Sequence, residues 1–333
     1  MTILYVACED SDGMIMSGAT IGAGSFFDPN YARCCFVPGS SNDAYVMTPA
    51  LAAQQTLWVR ARLLAHNQNN NNQEIISLMN GAGNPILALS RISIGDLNLC
   101  LRKHNGTAFT SLVQNTSFQL TDEFITKLDV GVRYATDGWM RVYFDNQLVL
   151  SWTGDTTGRG NTTGLTQVKF HNCGWGNTAW SEIVLADRDT RAIHGVKRLF
   201  LSGEGSVTGW TNNMQSGAFN IEAIREQICD DATAVVSDTA GQTSTWTFEP
   251  PGNFYTGKNI HSVVTTARAL KGATGPTKLG LGVKANGAVH TVTKTLDTGF
   301  ASYQTIFANN PTTGVAFTAS DLATLELALT AVA

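Results

Sequence analysis

The chain has 333 residues, which on length suggests about two domains, and its apolar share of 43% is enough for sizeable cores. Charged residues make up only 14% and the net charge is −4; no Lys/Arg-rich stretch stands out, so no nucleic-acid groove is expected. No run approaches about 18 apolar residues, so no membrane insertion is expected. Thr, Asn, Ser and Gly fill the polar positions, which favours strands and tight turns over long exposed helices.

The opening stretch, MTILYVACEDSDG, has no basic region followed by an apolar core of signal-peptide length, which predicts synthesis and folding in a cytoplasm. Its residues 3–8 read as a strand. CEDSDG (8–13) then reads as a turn. It resembles half of a calcium loop but lacks the downstream glutamate, which leaves calcium at a sandwich edge as the alternative. The six cysteines are Cys8, Cys34, Cys35, Cys100, Cys173 and Cys229. They show no C-x-x-C or zinc-finger spacing and are expected as reduced, buried thiols.

Period-2 alternation predicts further strands at 32–37, 44–47, 74–79, 86–92, 97–103, 109–113, 166–172 and 180–186. In TLWVRARLL, Leu57, Val59, Ala61 and Leu63 share one face; Trp58, Arg60 and Arg62 share the other. In LDVGVRY, Val130, Val132 and Tyr134 point one way and Asp129 and Arg133 the other. GWMRVYFDNQLVLSW predicts a hairpin: Met140, Val142 and Phe144 alternate with Trp139, Arg141 and Tyr143. Asp145-Asn146 supplies the turn, and Leu148, Leu150 and Trp152 line one face of the return strand. HNQNNNNQ (66–73) reads as a solvated hairpin tip, with a ligand-contacting loop as the alternative.

The alternation breaks after ADRDTRAIHG. The predicted organisation is a first domain over 1–195 and a second over 196–333, with the boundary within about 190–215. Ile221, Ile224 and Ile228 in NIEAIREQIC suit a short helix. STWTFEP, HSVVTTARAL, KLGLGVKA and AVHTVTKTL are strand-like, and GATGPTK and KANGA are turns. Ser320 is placed to cap one helical turn before Leu325, Leu327 and Leu329 alternate in a closing strand. Many short strands separated by turn signals predict an all-β chain of two sandwiches.

The stretch richest in chemical groups is HNCGWGNTAWSEIVLADRDTR (171–191). On a strand His171 and Cys173 would face the same side, as two zinc ligands could, but no spacing nominates a third. A strand end followed by a Gly-rich turn is the favoured reading. Trp180, Ile183 and Leu185 are expected to close the first core, although Ile183 and Leu185 need not share Trp180's face. Asp187, Asp189 and Arg191 form a polar exit with local ion pairs. No E-x-D-x-x-E string provides the paired acids of a sandwich glycosidase. No G-x-S-x-G, H-E-x-x-H or P-loop occurs. No catalytic residue, metal site or cofactor is therefore assigned. Trp175 and Trp210 lie in Gly/Asn/Thr-rich loops and are the candidate contacts, for a subunit interface or for a glycan.

LDVGVRYATDGWMRVYFDNQLVLSWTGD resembles a concanavalin-like jelly roll of the laminin-G type. WSEIVLADRDTR, GATGPTKLGLGV and LDTGFASYQTIFANNPTTGVAFTASDLATLELAL resemble virion structural proteins of tailed bacteriophages. That resemblance implies an N-terminal concanavalin-like jelly-roll sandwich followed by a second β-sandwich. It also implies a non-enzymatic component of a phage particle, in the tail, tail tip, fibre or head surface, made in the host cytoplasm and partnered by other virion proteins. A homo-oligomer, by analogy a trimer, is expected. The alternative function is recognition of a host-surface carbohydrate, and the third is degradation of a polysaccharide.

Overall fold

The computed structural model describes residues 1–8, 12–23, 34–39, 44–65, 73–91, 98–118, 124–157, 164–172, 178–214, 219–224 and 231–333. The chain forms two units: Met14–Lys197 with Met1–Cys8, and Arg198–Ala333 with Asp12 and Gly13.

The first unit contains, in chain order, β1 (Ile3–Ala7), β2 (Ile15–Ser17), β3 (Ala19–Ala23), β4 (Cys34–Pro38), β5 (Tyr45–Met47), β6 (Thr56–Ala65), β7 (Glu74–Asn80) and β8 (Pro85–Arg91). There follow β9 (Leu99–His104), β10 (Phe109–Asn115), β11 (Phe124–Arg133), β12 (Gly138–Phe144), β13 (Gln147–Gly154), β14 (Leu165–His171) and β15 (Ala179–Ala186). An 8-stranded antiparallel sheet runs β13-β12-β11-β6-β15-β4-β3, with β1 also on β15. A 7-stranded sheet runs β10-β9-β8-β7-β14-β5-β2. The chain changes sheet repeatedly, and the two inner faces share one core, in which Leu57, Val59, Ala61 and Leu63 meet Leu78, Val168 and Phe170. This is a jelly-roll sandwich: the alternation pointed to a sandwich, and the resemblance of the sequence strings to a jelly roll. Strands β2 and β3 are additions that the alternation did not indicate.

Parity along two strands is reset by bulges. Trp180 and Ile183 are an odd number of residues apart, so a regular strand would place them on opposite faces. Both enter the core because Glu182 adopts φ 49° and adds one residue between the Ser181 and Val184 pairs with β6. In the β12–β13 hairpin, Asp145 and Asn146 both have positive φ, as a two-residue turn requires. The register shifts between Val142 and Tyr143. Leu148 therefore lies opposite Tyr143, 55% exposed, instead of lining the inner face with Leu150 and Trp152. Val149 packs against the core in its place.

The outer face of the first sheet is covered by the chain that leaves β15. Asp129 accepts from Thr190 Oγ1 at 2.7 Å. Arg60 Nη2 donates to the His194 carbonyl at 2.5 Å. Glu182 accepts from the Val196 amide at 3.1 Å and pairs with Arg62 at 2.6 Å. Arg191 lies 4.2 Å from the Tyr143 ring centroid and chelates Asp189. Residues 187–197 are thus a strap across the sheet, and Trp58, Arg60, Asp129 and Glu182 are buried beneath it.

The second unit comprises β16 (Leu201–Thr208), β17 (Thr211–Asn212), β18 (Val235–Val236), β19 (Thr243–Phe248), β20 (Val263–Ala269), β21 (Lys278–Ala285), β22 (Ala288–Thr295), β23 (Ala301–Phe307), helix α1 (Ala319–Ala323) and β24 (Glu326–Val332). A 5-stranded sheet, β16-β19-β24-β21-β22, packs Trp246, Leu281 and Leu329 against Ala267, Ala269 and Tyr303 of the β20–β23 ladder. It is the second sandwich. Strand β16 was not expected, because its pairing with β19 shifts register twice and its glycines erase the alternation. The stretch around Ile221 and Ile224 is a 3-10 turn over Asn220–Ala223, while Ile228 lies outside the described residues. Helix α1 is capped by Thr318, not Ser320: Thr318 Oγ1 accepts from the Asp321 amide at 3.2 Å, and the Asp321 carboxylate accepts from the Thr318 amide at 2.7 Å.

Gly131 lets Trp58 lie flat over β11; a Cβ there would stand 2.7 Å from two indole carbons. Gly131→Ala is expected to destabilise the protein by about 1–3 kcal/mol, read as a lowered urea midpoint.

Candidate functional site

With Leu78, Leu101 and Phe170 in the core, alternation sends the intervening side chains of the second sheet to its outer face. Strand pairing aligns one row across that face. Met47 is opposite Lys169, Lys169 opposite Ser77, Ser77 opposite Ala88, Ala88 opposite Arg102 and Arg102 opposite Ser111. Adjacent strands stand about 4.8 Å apart, which separates the Lys169 and Arg102 backbones by roughly 14 Å. The small side chains of Ser77 and Ala88 lie between them and are buried.

Each cation lies against an aromatic ring. Lys169 Nζ is 3.8 Å from the centroid of Tyr45. The Arg102 guanidinium is 5.4 Å from that of Phe109, and its Nη2 donates to the Phe109 carbonyl at 3.2 Å. His104 meets Phe109 edge-on at 5.0 Å. A cation held against a ring gives up less side-chain freedom when it binds a ligand.

His171, opposite Tyr45 on β14, completes the face. Its Nε2 is 2.9 Å from Ser77 Oγ and 3.5 Å from Glu74 Oε2, and Ser77 Oγ lies 3.3 Å from the same carboxylate oxygen. Burial, then the nearby Lys169 charge, push the imidazole down to about 3, so it is neutral at ordinary pH. A lone pair on Nε2 would face the carboxylate, so the proton belongs on Nε2. His171 then donates to Ser77 and Ser77 donates to Glu74. Serine and acid share one imidazole nitrogen, which is not the order of a nucleophilic triad, where the acid holds Nδ1. The cluster can orient a hydroxyl and move a proton along the sheet face.

His171 is therefore engaged by Ser77 and Glu74; Cys173 and Trp175 lie outside the described residues. Among the described residues no group of three or more His, Cys, Asp and Glu is placed to hold a metal. Glu9 and Asp10 of CEDSDG and nearly all of the asparagine-rich loop also fall outside them, while Asp12 is buried and accepts from Thr266 Oγ1 at 2.9 Å. Trp210 is half-buried on the core of the second unit, and its indole N–H donates to the Gln242 carbonyl at 3.1 Å. Cys8, Cys35 and Cys100 are buried free thiols, and burial pushes Cys35 up to about 11. Tyr45, Glu74, Ser77, Arg102 and Lys169 were not singled out from the sequence. The available signal was polar residues at alternate positions of otherwise apolar strands, as in EIISLMN and LTQVKFH.

No family model matches the sequence, and no curated protein matches it. Solved structures do match. An endo-β-1,4-glucuronan lyase from the fungus Trichoderma reesei is 12% identical with TM-score 0.39, over 55% of this chain and 90% of the lyase. A carbohydrate binding module from Bacillus subtilis is 11% identical with TM-score 0.34, over 51% of this chain and 93% of the module. A carbohydrate esterase from the Shiga toxin-encoding bacteriophage phi24B is 13% identical with TM-score 0.38, over 56% of this chain and 97% of the esterase. The likeness is one of fold. It nevertheless corrects the expectation of a non-enzymatic protein, because a lyase stands among the matches. That expectation drew an absence of chemistry from a layered fold, and fold alone does not decide between binding and catalysis.

The His171 shift predicts a pH dependence. The unfolded imidazole binds a proton below 6.5 and the folded one only below about 3. Across that window the unfolded state holds more protons, so stability decreases as the pH is lowered, by up to about 1.4 kcal/mol per unit. Urea unfolding at pH 7, 6 and 5 is expected to show this slope in the native chain and to lack its His171 part in His171→Gln.

Proposed function

We propose that the outer face of the second sheet of the jelly roll binds a carbohydrate chain laid across the strands. The row from Lys169 over Ser77 and Ala88 to Arg102 supports this reading. Lys169 and Arg102 are only partly buried, and each carries several N–H donors of the kind that pair with hydroxyl or carboxylate oxygens. The Glu74–Ser77–His171 cluster adds directional groups beside them. The setting we infer is a tailed-phage particle, at the tail, tail tip, fibre or head surface, where glycan recognition would serve attachment to the host. Its support is the resemblance of the sequence strings. A homo-oligomer, by analogy a trimer, fits that setting, and light scattering of the purified chain measures it.

Isothermal titration against neutral and acidic polysaccharides tests the binding face, with new reducing ends measured alongside as the readout of cleavage. Lys169→Ala and Arg102→Ala are each expected to weaken binding about 10-fold or more, since a charge-assisted hydrogen bond contributes about 1.5–3 kcal/mol. Unchanged affinity in both variants would reject the face. Trp175→Ala and Trp210→Ala report whether either loop tryptophan reaches the same ligand.

A further inference from the structure

We propose that Lys127 and Asn146 are the two halves of an intramolecular isopeptide cross-link, with Asp129 as the carboxyl group that moves the protons. Asn146 lies at the tip of the β12–β13 hairpin, and Lys127 and Asp129 lie on β11, against which the hairpin folds. The site is independent of the proposed binding face.

The backbone holds the reactants together. The Asp145 amide donates to the Lys127 carbonyl at 2.8 Å. The Lys127 amide donates to Asp145 Oδ1 at 3.0 Å, and Thr126 Oγ1 donates to Asp145 Oδ2 at 3.0 Å. Asn146 follows with φ 69°. Its side-chain oxygen lies 2.5 Å from Lys127 Nζ. A carbonyl bond is about 1.23 Å, so the amide carbon is within roughly 3.7 Å of the nitrogen that would attack it. That is close to the 3–3.5 Å of a near-attack arrangement.

The carboxyl group is in place. Asp129 is fully buried. Its Oδ1 accepts from Thr190; its Oδ2 stands 3.5 Å from Lys127 Nζ, at the outer limit of a hydrogen bond. The surrounding groups are Arg60 from β6, Tyr143 from β12, and Thr190 and Arg191 from the strap. The Arg191 carbonyl accepts from Lys127 Nζ at 3.2 Å. Burial lowers the Lys127 amine and raises the Asp129 carboxyl from their ordinary values, favouring the neutral forms that aminolysis uses.

In the reaction Asp129 takes a proton from the Lys127 ammonium. The neutral Nζ attacks the Asn146 amide carbon, forming the Nζ–Cγ bond. The Cγ–Nδ2 bond breaks, and the two protons lost by Nζ leave on the departing nitrogen as ammonium, carried through Asp129. Nothing is oxidised or reduced. The product ties the hairpin tip to β11, closing a loop between residues 19 apart in sequence.

Intact-mass measurement of the full chain tests this. The expected result is a loss of about 17 Da, one ammonia, together with a branched tryptic peptide joining the Lys127 and Asn146 segments. Lys127→Arg keeps the charge, and Asn146→Gly keeps the left-handed turn; both are expected to fold with an unchanged circular dichroism spectrum and to show the full sequence mass. Asp129→Asn is expected to slow or abolish the loss. A native chain at full sequence mass after prolonged incubation, cleaved normally after Lys127, would overturn the proposal. So would a 17 Da loss that persists in Lys127→Arg, which would point to cyclisation of an asparagine elsewhere.

Discussion

Strand β15 is buried along its whole length, so each of its side chains must be accommodated on one face or the other, and the bulge at Glu182 decides which. Without the added residue, Ile183 and Leu185 would turn away from the core that Trp180 enters. With it, all three close the core, and the Glu182 carboxylate is delivered to Arg62 and to the Val196 amide. A left-handed non-glycine residue costs about 1–3 kcal/mol. The ion pair and the strap that it anchors hold Glu182 in that conformation. Since β15 pairs with β1, β4 and β6, the register of the first sheet depends on this residue.

The two outer faces of the sandwich have opposite designs. On the first sheet, charge is sealed in: Arg60, Asp129 and Glu182 are buried under a strap and engage the His194 carbonyl, Thr190 and the Val196 amide of that strap, with Arg62 and Lys127 beside them. Buried charge so arranged gives specificity of position more than stability. On the second sheet the cations stay half-exposed, braced by Tyr45 and Phe109, with small residues between them. One face holds the protein's own chain, while the other keeps its two cations at the surface.

The strand pattern was legible where alternation is strict. The inner residues of β6, β11 and β12 and the Asp145-Asn146 turn follow from period two and from the backbone tolerance of Asp and Asn. It failed where a single residue changes parity. Leu148 reads as inward-facing, yet the bulge turns it out; β16 vanishes behind its glycines and its two register shifts. Thr318 was passed over as a cap for Ser320, since either hydroxyl precedes the apolar run and only the backbone angles choose between them.

The candidate sites separate along the same line. The sequence by itself determined an all-β chain of low charge, the jelly-roll class of its first half, and which residues of each regular strand share a face. It could not bring Lys169 to Ser77 and Arg102, or Lys127 to Asn146, because those neighbours are set by strand pairing between segments far apart in the chain. Pairing is decided by the burial of both sheets at once. Which lysine faces a ring, an amide or a carboxylate is therefore a property of the packed sandwich and not of any local stretch.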